Sequence, residues 1–165
     1  MPMQNPRDLF LHEMSDMYDA EQRILQMLPT MAQECNDPQV KSALQQHEQE
    51  TRQQVLNLDQ CFQELGAQPV RTSCYAIAGM KQEHDSYLKE QPSPDMLTMF
   101  DLGGAAKTVG YEIASYRGLI DQANSMGQTH CVQLLRQNLQ QEENMLKTVE
   151  TISHTLGQQM VSRMP

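Results

Sequence analysis

The sequence predicts an all-α fold: an antiparallel four-helix bundle with a short fifth helix in the crossover between helices 2 and 3. Three observations carry this expectation. The composition is helix-forming, with eight glycines and no Trp in 165 residues, and Gln, Met, Leu and Glu abundant. Apolar residues recur in steps of three and four along four long stretches. Turn signals are few and sharp. At this length the chain makes one domain, residues 1–165 with a bundle core at about 7–157, able to bury a sizeable core without staples.

The punctuation orders the elements. "NDP" at 36–38 ends a first helical pattern that begins near residue 7, and "LGAQPV" at 65–70 ends a second that begins at 38. A shorter helix is expected at about 73–89. "EQPSPD" at 90–95 is a turn, with Ser93 or Asp95 placed to cap a helix over about 94–126. "SMGQTH" at 125–130 separates that helix from a last one, over about 129–157, where Gly157 precedes a polar tail. Short connections make helices 1 and 2 antiparallel, and likewise the last two long helices. The segment 67–93 is long enough to carry the chain across the bundle. Two hairpins joined by one long crossover describe a ferritin-like topology.

Each long helix interrupts its apolar stripe once with an acid. The first reads Phe10, Met14, Met17/Tyr18, Glu21, Ile24/Leu25, Leu28, Met31; the second Val40, Ala43/Leu44, His47, Glu50, Val55, Leu58, Phe62. The third long helix carries Glu112 among Val109, Tyr116 and Leu119, and the last carries Glu142 between Leu139 and Leu146. Heights agree as well as faces. At roughly 1.5 Å per residue, Glu21 and Glu50 lie about 24 and 20 Å from the turn at Asp37, and Glu112 and Glu142 each about 22 Å from Gly127. Four carboxylates and the His47 imidazole are thus expected in one middle layer. Four buried acids repel one another, and two divalent cations would neutralise them. Oxygen donors with an imidazole suit iron or manganese, at one or two ions per chain.

Other features set bounds. A net charge of −9 with scattered Lys and Arg argues against a nucleic-acid partner. There is no run of about 18 apolar residues to span a membrane, and "MPMQNPRDLF" has no signal-peptide pattern, so the expectation is a soluble cytoplasmic protein. Cys35, Cys61, Cys74 and Cys131 have no metal-like spacing and read as free thiols, with Cys61 and Cys131 buried. His12, His84, His130 and His154 read as solvated. The 13 methionines read as flexible core packing. Tyr18 and Tyr116 each stand one turn from a seam Glu, as packing aromatics or as hydrogen-bond donors to it.

With these residues in view, the chain resembles the YciE/YciF-type ferritin-like proteins over about residues 7–157. The resemblance rests on "LFLHEMSDMYDAEQRILQMLPTMA", "HEQETRQQVLNLDQCFQELG", "GYEIASYRGLI" and "LLRQNLQQEENMLKTVE". Its most specific pieces are "YDAEQ", the His47-x-x-Glu50-Thr51 unit and "YEIASY". It implies a five-helix bundle, usually dimeric, in bacterial stress-associated proteins, with a carboxylate-rich dinuclear metal site. Carried over by position, the ligands the resemblance implies are Glu21, His47, Glu50, Glu112 and Glu142; in a two-metal reading Glu21 and Glu112 would bridge and Glu50, His47 and Glu142 would be terminal. The family has a Glu three residues before the "YEIA" Glu, where this chain has Val109.

Two functions compete for these residues. One is a di-iron or di-manganese protein that handles oxygen, peroxide or iron under stress, as a homodimer. The other is a non-enzymatic stress or interaction protein, a helical dimer with a partly vestigial site, which Val109 and the thinned "QQE" at 140–142 favour. A storage cage is a weaker third, since no cage-forming surface stands out.

Overall fold

Residues 3–163 are described by the computed structural model. Five helices account for the architecture: α1 (Pro6–Glu34), α2 (Pro38–Glu64), α3 (Tyr75–Leu88), α4 (Pro94–Ser125) and α5 (Thr129–Ser162). No strand occurs among the described residues.

The boundaries follow from local chemistry. Three helices start on the same device, a small polar N-cap followed by proline at the first helical position. Asn5 accepts a hydrogen bond from the Asp8 amide at 3.0 Å, Asp37 from Gln39 and Val40, and Ser93 from Met96. Two helices stop at glycine. Gly66 and Gly127 have φ of 59° and 69°, and the amides after them, of Ala67 and Gln128, reach back to Phe62 and Ala123, each at 2.9 Å. Both turns are Schellman motifs, which need the left-handed residue that glycine supplies at least cost. Gly157 behaves differently. The helix expected to end there runs five residues further, to Ser162. A glycine lowers helix stability but does not stop it, and no proline follows until residue 165.

In cross-section the long helices lie in the order α1, α2, α5, α4, with α3 packed outside against α1 and α4. Every adjacent pair of long helices is antiparallel: Glu34 meets the Asp101 region while Glu21 meets Tyr116, and Glu64 meets His130 while Gln54 meets Glu142. The crossover is pinned to α1. Cys74 N–H donates to Asp19 (2.7 Å), Val70 N–H donates to Ser15 (2.9 Å), and Arg23 donates to Asp19 and Ser73. Ile77 seals α3 onto the bundle, whereas Tyr75 is left 84 % exposed. All four cysteines are buried and free.

Candidate metal centre

Halfway along the bundle the apolar core gives way to a polar layer. Glu21 of α1, Glu112 of α4 and Glu142 of α5 are each 0 % exposed, and His47 of α2 is 2 % exposed. His47 Nε2 lies 3.3 Å from Glu142 Oε2 and 3.8 Å from Glu112 Oε2. Donor atoms of these three residues all fall within 4.8 Å of one another. Glu21 completes the layer from the fourth helix.

Hydrogen bonding settles only part of this charge. Tyr116 O–H donates to Glu21 Oε1, and Asn138 donates to the Tyr116 oxygen at 3.0 Å. Gln54 donates to Glu142 Oε1 at 2.6 Å, and Asn57 holds Asn138 at 2.6 Å. That leaves Glu21 Oε2, both oxygens of Glu112, Glu142 Oε2 and His47 Nε2 buried with no hydrogen-bond partner. Burial pushes the Glu21 and Glu112 carboxyls well above the usual range, and repulsion from Glu142 adds to the rise in both. Glu142 moves the other way. Burial would raise it, but His47 and the Gln54 amide outweigh that and hold it low.

A shared pattern of orphaned oxygens around an unpartnered imidazole nitrogen is what a divalent cation would satisfy. At metal–ligand distances of about 2.1 Å and angles of 90–110°, two ligand atoms stand about 3.0–3.4 Å apart. The 3.3 Å separation of His47 from Glu142 falls in that interval. The donor set of one imidazole and carboxylates could therefore hold a metal ion.

The expected residues do not all take equal places. Glu21, His47, Glu112 and Glu142 converge. Glu50 is half-buried: its Oε1 accepts from Gln46 Nε2 at 2.9 Å, while Oε2 is buried without a partner. At 100° per residue, Glu50 is about 60° round the helix from His47, and Thr51 about 40° on the other side. Thr51 is the fully buried one, so the α2 seam runs His47, Thr51, Gln54/Val55, Leu58, with Glu50 at its edge. Gln54, Asn57 and Asn138 were missed because polar amides break an apolar stripe. The signal was available: Gln54 is two turns from His47, and Asn138 one turn before Glu142. Tyr116 is a hydrogen-bond donor to the site, whereas Tyr18 packs edge-on against Phe62 (6.2 Å, 85°). His84 needs correction. It is not solvated but lies between Glu34 and Asp101, with 13 % of its side chain exposed.

Replacing Tyr116 with Phe keeps the shape but strands the Glu21 oxygen. The expected cost is about 1–3 kcal/mol. In a chain of this size that lowers the melting temperature by roughly 2–12 °C, read by thermal denaturation.

The model of a domain of unknown function, DUF892, matches residues 5–162. YciF of Escherichia coli K12 is 28 % identical over 144 residues, 87 % of either chain. The crystal structure of the E. coli stress protein YciF superposes with a TM-score of 0.90 at 25 % identity, covering 94 % of this chain and 99 % of that one. YcfI of Rhodopseudomonas palustris superposes with a TM-score of 0.86 at 34 % identity, covering 90 % and 94 %. Matched by the family model from the cap of the first helix to the end of α5, the chain belongs to the DUF892 family.

Proposed function

We propose that this is a ferritin-like metal-binding protein of the stress response. It would hold one or two iron or manganese ions between Glu21, His47, Glu112 and Glu142, with Glu50 at the rim. The observation that carries this reading is the set of five buried, unpartnered donor atoms on four helices in one layer. A bare ion pair would not arrange itself so, since three buried acids face one imidazole and each lone carboxylate is costly. Iron or manganese bound there supplies redox chemistry toward oxygen or peroxide. The chain's own part is positional. Tyr116 fixes the Glu21 carboxylate, Gln54 fixes Glu142, and the surrounding Met, Leu and Val side chains keep bulk water away. The stress role comes from the likeness to the E. coli stress protein YciF, and a cytoplasmic setting is part of the same proposal. A homodimer belongs to the same reading, in which exposed Tyr75 offers a second copy an apolar contact.

The second reading, a non-enzymatic stress or interaction protein, draws on Val109. This residue is fully buried one turn before Glu112, where the resemblance leads one to expect an acid. Elemental analysis of protein purified without added metal separates the two. One or two iron or manganese atoms per chain, lost in Glu112→Ala and reduced in Glu50→Ala, are expected. Metal-free protein from iron-replete cells, or metal retained in Glu112→Ala, would favour the second reading.

A further inference from the structure

A second cluster stands apart from the central layer. His84 of α3, Asp101 of α4 and Glu34, the last residue of α1, bring a nitrogen and two carboxylate oxygens within 4.8 Å of one another. His84 Nε2 is 3.2 Å from Asp101 Oδ1 and 3.4 Å from Glu34 Oε2. Both separations match the roughly 3.0–3.4 Å expected between ligands of one cation. Eleven residues of helix separate Asp101 from Glu112, about 16 Å along α4 by the 1.5 Å rise, so the two groups cannot share an ion.

Proximity alone would describe an ion pair, but at these separations the imidazole makes no aligned hydrogen bond to either carboxylate. Asp101 is 2 % exposed, yet neither of its carboxylate oxygens has a donor. Glu34 Oε2 and His84 Nε2 are likewise buried without a partner. These donor atoms therefore crowd one another without a hydrogen bond between them. The far side of the imidazole faces Asp85, whose Oδ1 lies 3.7 Å from Nδ1 and which Lys81 holds at 2.5 Å. Among the described residues no Lys or Arg forms an ion pair with Asp101; its charged neighbours are His84 and Glu34.

The geometry points to a second divalent-cation site, formed by Glu34, His84 and Asp101, that takes a first-row transition ion. One imidazole and two carboxylates suit such ions and leave further positions for water. An apolar cavity lined by Ile24, Met31, Met80, Phe100 and Ala105 touches His84 and Asp101 at one part of its wall and His47 at another. A cation here ties three elements together and clamps the crossover helix α3 onto α1 and α4. The site is independent of the central one in residues and in position.

Cobalt(II) is the probe, because its visible absorption reports ligand geometry and its count is measured directly. Chelator-stripped full-length protein would be titrated by equilibrium dialysis, alongside Asp101→Asn, His84→Gln and Glu112→Gln. The wild type is expected to bind about one Co²⁺ more per chain than Asp101→Asn or His84→Gln. Glu112→Gln should keep the His84-dependent equivalent and its absorption. Asp101→Asn removes a buried unpaired charge, so without metal it should melt no lower than wild type. Added Co²⁺ should raise the wild-type melting temperature more than that of the variant. Equal Co²⁺ counts in wild type, Asp101→Asn and His84→Gln would overturn the proposal and reduce the cluster to an ion pair only. Loss of all Co²⁺ in Glu112→Gln would overturn it too, since every bound ion would then belong to the central layer. A Co²⁺ count that Glu112→Gln leaves untouched but His84→Gln lowers would support this site while counting against the central one.

Discussion

Stripping the metal with a chelator is expected to lower the melting temperature by about 8–16 °C at neutral pH. A ligand held at a thousand times its dissociation constant stabilises the fold by about 4 kcal/mol. A domain of this size shifts by roughly 2–4 °C per kcal/mol. The residues that lose most are those with no other partner: Glu112, with both oxygens orphaned, and Glu21, with one. The loss should depend on pH, and the sign follows from the shifts. Burial raises the Glu21 and Glu112 carboxyls well above their ordinary values. A carboxyl raised in the folded state favours folding fully below its unfolded pKa of about 4.3, and that contribution is lost as pH rises through the folded value. The metal-free protein should therefore gain stability on mild acidification, as protons take up the unpaired oxygens. The gap between metal-loaded and metal-free melting temperatures should be widest at neutral pH and narrow toward pH 5. Paired melts in Mn²⁺ and in chelator across that range read it directly. A gap that stays constant or widens on acidification would mean the central acids are not what the metal compensates.

Legibility from sequence followed the strength of local signals. Asn-Pro, Asp-Pro and Ser-Pro pairs cap three helix starts, and glycines at 66 and 127 close two ends, so the elements were readable to within a few residues. Gly157 misled because glycine inside a helix and glycine after one look alike without the backbone angle. Glu21, Glu112 and Glu142 were readable because each interrupts an apolar stripe at a matching height. Glu50 shows the limit of that method: steps of three and of four both start from His47, and only packing between α1 and α5 decides that Thr51 is the buried one. The hydrogen-bonding shell was harder. Gln54 and Asn138 sit 84 residues apart, and the 3.3 Å bond from Asn138 to the Gln54 carbonyl exists only once α2 lies against α5. Glu34, His84 and Asp101 come from three elements, with no motif spacing to draw them together, and an isolated histidine in a polar helix carries no sign of a buried partner.

Introducing an acid at Val109 is expected to produce the largest effect at a single position. Val109 is 0 % exposed and lies three residues before Glu112 on α4, so a side chain there enters the same layer. In metal-free protein, Val109→Glu places another carboxylate among Glu21, Glu112 and Glu142. An unpaired buried charge costs several kcal/mol even after relaxation. By the same 2–4 °C per kcal/mol, the chelated variant should melt roughly 10 °C or more below chelated wild type, or fail to fold without metal. Saturating Mn²⁺ should reverse most of that loss, because a second divalent cation gains the ligand it lacks. The bound metal should rise by about one per chain, and the Tm increment from Mn²⁺ should exceed the wild-type increment. A volume-matched control, Val109→Thr, carries no charge and should show neither gain. If Val109→Glu is destabilised equally with and without Mn²⁺ and its metal content is unchanged, the valine is core packing alone, and the non-enzymatic reading of the protein gains accordingly.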